Sequence, residues 1–392
     1  MHLKMMAFYL ALSFAHGQAK AQPLTIIEQD YEKARLAAQQ QHKLLLIDFY
    51  TTWCVPCKEL DKKVFRDSAV SREVAKDFVV LRYDAEKDSA YRLSLKHHIN
   101  MYPSAVVLNQ EQFLVYRMYG TGGADKDMVK NYRHFLQEGI DRNARKVVIR
   151  GVSNRTDLTY PKFYEAYVFR TNTANVKEHQ AAYWNGTSDW LSEVPFAILC
   201  YFGGGTDAVN TFFLQNKEKY KTLYGELDVL FVTTMLINDK AFGALRTKNR
   251  PQFDSAMQLA RQHMDDPAPF INVMEERMLQ AENRWPEALI MFEARKKAGQ
   301  VDDAALAYWC SAANEKSDNP TVLQQCLAWM KALSEQRSFY DALDVYARLL
   351  WKAGEKEKAR SVMEQAVALG KANQEDVRGS EVWLKKNGKG SE

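Results

Sequence analysis

The run Leu44-Leu45-Leu46-Ile47-Asp48-Phe49-Tyr50 is followed within a few residues by Trp53-Cys54-Val55-Pro56-Cys57-Lys58. The run is apolar, unbroken and of strand length. Such runs suit a strand buried on both faces of a parallel or mixed sheet. A Cys-x-x-Cys pair can close a disulfide across one turn of helix. If the helix begins at the pair, the first cysteine stands at its N-terminus, where unpaired N–H groups and the helix dipole favour a thiolate. That setting lowers the pKa of Cys54 from about 8.5 toward about 7 or below. Cys57 lies one turn further in and is better placed to resolve a mixed disulfide. Pro56 has its φ pre-set for a first helical turn. Thiolate attack, mixed disulfide and resolution make an exchange cycle. The other reading of the spacing is half of a zinc site. It needs further ligands, and His97-His98 is the close candidate; the expected state of that pair is exposed, at a helix end.

The flanking pattern alternates helices and strands. Residues 24–41 read as a helix, with Ile26, Ile27, Tyr31, Ala34 and Ala38 at helical spacing. Helices are expected over Cys54–Phe65, Ala69–Lys76, Tyr91–His98 and Lys126–Gly139, and strands over Phe78–Asp84, Ala105–Leu108 and Leu114–Tyr119. Beyond Ile140 the chain reads as a short irregular entry and then as helices. Asp302–Lys316 and Thr321–Gln336 form one hairpin about Asp318-Asn319-Pro320, and a second pair turns at Gly354, which predicts a stacked helical repeat.

Composition narrows the class. Hydrophobic residues are 46% and charged residues 26% of 392, values of an ordinary globular chain. A net charge of +4 gives no nucleic-acid footprint. The start, Met1-His2-Leu3-Lys4, an apolar stretch from Met5 to Ala15 and then Ala19-Lys20-Ala21, reads as a secretory signal cleaved after Ala21. The mature chain is then expected to span no membrane. The five cysteines are an odd number, so at least one is free or pairs with another molecule. Cys310 and Cys326 lie nearly symmetrically about the Asp318-Asn319 turn. They are read as either a structural disulfide or two buried thiols. Cys200 reads as buried without a partner.

Met101-Tyr102-Pro103-Ser104 leads straight into a strand. With Asp48, Phe49, Trp53, Cys54, Pro56, Cys57, Lys58 and Gly120, it makes residues 24–140 resemble the thioredoxin superfamily. The resemblance implies an α/β domain with a central mixed sheet flanked by helices, ahead of the all-α part. It implies that Cys54 is the nucleophile and Cys57 the resolving thiol of a redox-active disulfide. It implies that Asp48 is a buried acid that helps deprotonate the resolving thiol through water, although a locally bonded strand-end carboxylate is the other reading. Pro103 would be cis and would set the Tyr102 backbone against Cys54 to pair with a substrate strand. Trp53 and Tyr50 would shape the lip of the site, or serve as core. Val55 departs from the glycine usual in cytosolic thioredoxins. The stretch Lys58–Asp67, with Val70 and Phe78-Val79 after it, resembles the branch that includes the C-terminal domain of periplasmic DsbD-type proteins.

The expected organisation is therefore a signal at 1–21, a thioredoxin-like domain at 22–141, a linker at 142–159 and a helical domain resembling tetratricopeptide repeats at 160–388. The expected function is an exported, periplasmic thiol–disulfide oxidoreductase, a reductase of protein disulfides, without cofactor or metal. Its partners would be protein thiols and disulfides and a membrane electron donor of DsbD type, not nucleic acid. The competing reading is a partner-binding or assembly module built on the helices, with an inactive or structural cysteine pair.

Overall fold

The computed structural model describes residues 23–88, 90–121 and 127–387. The expected signal segment and the last residues of the chain lie outside these. The chain forms two compact units, divided after Val232.

The first unit is built on five strands in the order β1-β3-β2-β4-β5. They are β1 (Ile26–Glu28), β2 (Leu44–Tyr50), β3 (Phe78–Asp84), β4 (Ser104–Leu108) and β5 (Leu114–Tyr119). β1 and β2 run parallel to β3, while β4 runs antiparallel to both β2 and β5. β2 is thus central, and every residue from Leu44 to Phe49 is buried. That explains its unbroken apolar character: alternation is lost when both faces are covered. On one face Leu44, Leu46, Phe78, Val80 and Val107 pack against Leu60, Phe65, Val74 and Phe135.

These last residues come from α2 (Val55–Leu60), a π-helical turn (Asp61–Phe65), α3 (Ser68–Asp77) and α5 (Met128–Ala144). α1 (Tyr31–Gln40) packs on β2 and β3, and α4 (Leu93–Lys96) is a single turn. Two expectations are corrected here. The predicted helix at 24–41 is a strand followed by a helix. Ile27 is buried in the sheet between exposed Ile26 and Glu28, and Asp30 caps α1 by accepting from the Lys33 N–H at 3.0 Å. The predicted helix Cys54–Phe65 changes to π-helix at Asp61.

The first unit continues through α6 (Lys162–Val168), α7 (Val176–Gly186), α8 (Glu193–Phe202), α9 (Asp207–Gln215), α10 (Lys217–Tyr224) and the beginning of α11 (Glu226–Thr247). These helices cover the segment before β4. Tyr164 donates to the Leu95 carbonyl at 3.0 Å, and Lys96 pairs with Glu193 at 2.8 Å. His97 and His98 are consequently buried, not exposed as the sequence predicts. Arg117 donates to His98 Nε2 at 2.5 Å and lies 3.4 Å from Asp228, which also accepts from the Tyr119 hydroxyl at 2.9 Å. Burial, reinforced by Arg117, pushes the His98 imidazole down to about 4, so it is neutral and accepts. Burial alone would raise the Asp228 carboxyl, but Arg117 and its hydrogen bonds hold it below the ordinary value.

The second unit holds the rest of α11 and α12 (Arg250–His263), α13 (Ala268–Ala281), α14 (Trp285–Lys297), α15 (Asp303–Lys316), α16 (Pro320–Gln336), α17 (Tyr340–Lys352), α18 (Lys356–Ala372) and α19 (Arg378–Asn387). From α12 to α14 and from α15 to α19, consecutive helices pack on one another, and α14 also packs on α16 and α15 on α17. The class expected from sequence, a mixed α/β sheet domain followed by helices, is the one observed. Gly354 takes φ 88° in the turn after α17, where a side chain would be strained. Cys310 and Cys326 are fully buried free thiols, so the structural disulfide considered for them is not formed. They face one another across α15 and α16. Burial, with Cys326 beside it, pushes the Cys310 thiol far up and disfavours its thiolate. Among the described residues no helix is long and apolar enough to cross a membrane.

Candidate active site

β2 ends at Tyr50, and the chain turns through Thr51 into α2. The Cys54 N–H donates to the Thr51 carbonyl at 3.2 Å, which closes that turn. Cys54 is the N-cap of α2. Its sulfur accepts from the Cys57 N–H at 3.2 Å, and Pro56 occupies the first turn. The helix terminus thus presents an unpaired donor to the first sulfur, as the spacing predicts. Cys54 and Cys57 are joined in a disulfide with Cα atoms 5.3 Å apart. Both are nearly covered, whereas their neighbours Trp53 and Val55 are 55% and 67% exposed.

The Tyr102–Pro103 peptide is cis. Tyr102 meets Trp53 edge-on, with ring centroids 6.0 Å apart. The Trp53 indole N–H donates to Glu86 at 2.9 Å, which fixes the ring beside Cys54. Burial raises the Tyr102 hydroxyl to about 12, so it stays protonated at neutral pH. Trp53 and Tyr102 therefore form one aromatic lip next to Cys54. Tyr50 is placed differently: it is half-buried and stacks under the Arg82 guanidinium, 4.7 Å from its ring centroid.

Asp48 is buried on β2, directly opposite Arg82 of β3 in register. Arg82 Nε lies 3.7 Å from Asp48 Oδ2, while Arg82 Nη1 pairs more closely with Asp61 at 3.1 Å. Asp48 Oδ1 has no hydrogen-bond partner among the described residues. Burial raises the Asp48 carboxyl to about 7, against the opposing pull of Arg82. Its ionisation is thus raised toward neutrality. The reading of Asp48 from sequence missed Arg82 and Asp61. The available signal was Arg82 itself, a charged residue inside the apolar strand Phe78–Asp84. Among the described residues no group of three or more His, Cys, Asp or Glu side chains is arranged to hold a metal ion.

A family model described as thioredoxin-like matches residues 26–110. Thioredoxin-1 of Drosophila melanogaster is 33% identical over 102 residues, covering 26% of this chain and 85% of that protein. The thiol:disulfide interchange protein DsbD of Actinobacillus pleuropneumoniae is 36% identical over 78 residues, 18% of this chain. The match spans only 13% of that DsbD's length. A solved disulphide isomerase from Xylella fastidiosa Temecula1 is 27% identical, with 29% of this chain and 86% of that one covered at a TM-score of 0.22. On the extent and identity of its match to thioredoxin-1, this chain belongs to the thioredoxin-like family, with Cys54 and Cys57 as its cysteine pair.

Proposed function

We propose that the protein is an exported thiol–disulfide oxidoreductase that reduces disulfides of client proteins. The observation that carries this reading is Cys54 at the N-cap of α2, its sulfur facing the Cys57 N–H, with Trp53 packed on Tyr102 next to it. In the reduced state the Cys54 thiolate attacks one sulfur of a client disulfide. A Cys54–client disulfide forms and the first client thiolate leaves. Cys57 then gives its proton, through water, to Asp48 and attacks the Cys54 sulfur. The second client thiolate leaves, and the Cys54–Cys57 disulfide observed here remains. The client gains two electrons, and a thiol donor must restore the pair.

Asp48 suits that step because its carboxylate is disfavoured by burial but not suppressed at pH 7. Pro103 and the Tyr102 backbone would align an extended client segment with Cys54, with Trp53 as one wall. The reductive direction, a membrane donor of DsbD type and release to the periplasm after cleavage at Ala21 belong to the same proposal. They draw on the family branch suggested by the sequence. A Cys57→Ser variant should accumulate Cys54-linked mixed disulfides with oxidised client extracts, resolved on non-reducing gels. Absence of any adduct, or adducts that persist in a Cys54→Ala/Cys57→Ser double variant, refutes the mechanism. A pair potential well above that of glutathione would reverse the direction of electron flow.

A further inference from the structure

A cleft of about 710 Å³ opens beside the redox lip, lined by Asn100, Met101, Tyr167, Arg170, Tyr201 and Phe231 among others. Its floor is the segment that runs into Tyr102 and Pro103. Its walls are the helical part of the same unit: Tyr167 from α6, Tyr201 from α8 and Phe231 from α11. Those walls are fixed. The Tyr167 and Tyr201 rings meet edge-on at 5.9 Å, Phe231 stacks on Tyr119 at 5.5 Å, and Asn100 donates to the Cys200 carbonyl at 3.2 Å. Polar and aromatic groups share the lining, so the cleft suits a charged side chain together with an apolar one.

Among the described residues, Arg170 is the one charged side chain lining the cleft. Its guanidinium is 68% exposed and lies 3.7 Å from Glu86, too long for a direct hydrogen bond. Glu86 is the carboxylate that accepts from Trp53. The cleft's cation is therefore linked through Glu86 to the residue before Cys54, and it keeps donors free for another anion. Met101, the residue before Tyr102, also lines the cleft, so the cleft adjoins the segment that carries the cis peptide.

We infer that this cleft selects the clients of Cys54, accepting an extended segment that carries a carboxylate side chain next to an apolar or aromatic one, near the client cysteine. The carboxylate pairs with Arg170, and the apolar neighbour lies against Tyr167, Tyr201 and Met101. The inference rests on Cys54 being the exchanging sulfur. It adds which disulfides that sulfur meets.

The test uses the full chain with Cys57→Ser and synthetic peptides whose single cysteine is activated as a mixed disulfide with thionitrobenzoate. Cys54 attacks the peptide sulfur, the peptide–Cys54 disulfide forms, and thionitrobenzoate leaves with the electron pair and is read by absorbance. Peptides differ only in Glu, Gln or Lys at positions near the cysteine, beside a constant Leu. Each rate is divided by that of the same variant with 2-hydroxyethyl disulfide. The expected result is that Glu peptides react about threefold faster than Gln peptides, as an exposed ion pair allows, with the advantage lost at high salt. Arg170→Glu should reverse the order to favour Lys, and Arg170→Gln should abolish it. The same ranking in all three proteins overturns the cleft while leaving the redox reading intact. Failure of Cys54 to react even with 2-hydroxyethyl disulfide overturns the redox reading, and the cleft inference falls with it.

Discussion

Replacing Asp48 by Asn should remove a pH-dependent cost from the oxidised protein. The folded carboxyl titrates at about 7, because it is wholly buried and Arg82 offsets that burial only in part; its ordinary value is 3.8. The folded state therefore holds this proton more tightly than the unfolded chain. The sign follows: the favourable protonated form is fully present below pH 3.8, and stability falls as pH rises through 7. The slope is about 1.4 kcal/mol per pH unit, and the window of about three units gives about 4 kcal/mol at its upper end. The substituted amide cannot ionise, so any cost of burying it is constant with pH. Hydrogen exchange followed by mass spectrometry on the peptide spanning β2 reports opening of this unit alone. Wild-type protection should fall relative to Asp48→Asn between pH 4 and 7 and run parallel to it above about 8. Arg82→Gln should extend the falling window to higher pH, because it removes the stabilising cation. Parallel wild-type and Asp48→Asn profiles across the whole range would refute the reasoning and make Asp48 an ordinary ionised carboxylate.

The buried ion cluster gives a second expectation. Asp228→Asn leaves Arg117 buried without its counter-charge and should cost about 3–5 kcal/mol in chemical denaturation. The double variant Arg117→Met/Asp228→Leu should cost less than Asp228→Asn; equal or greater loss would contradict it. At Gly151, an added Cβ would clash with the Tyr224 ring, which is itself stacked on Phe196 at a centroid distance of 3.6 Å. Gly151→Ala should therefore destabilise the first unit by about 1–3 kcal/mol, seen as a lowered unfolding midpoint. An unchanged midpoint would show that the Tyr224 ring can move.

What was legible in the chain is what depends on near neighbours. The unbroken run at Leu44–Phe49 specifies a doubly covered strand. The spacing of Cys54 and Cys57 specifies a sulfur at a helix N-terminus. Pro103 before a β-strand was read through the family pattern, and the cis peptide is where that pattern puts it. Short elements read less well. Ile26 and Ile27 fit helical spacing with Tyr31, yet a three-residue strand leaves too little pattern to be told from a helical turn.

The sequence by itself determined the sheet's central strand, the cysteine pair and the class of reaction they suit. Tertiary structure alone decided that His97 and His98 are buried: Phe49 lies against His97, and His98 meets Phe196 of α8 and Asp228 of α11, far along the chain. It decided that Arg82 stands across from Asp48, since strand register is not written in either strand alone. It also placed Tyr167, Arg170 and Tyr201 beside the segment leading into Pro103. The physical reason is common to all three. Burial and electrostatic pairing are set by groups that folding brings together, whereas periodicity and capping are set by residues a few positions apart.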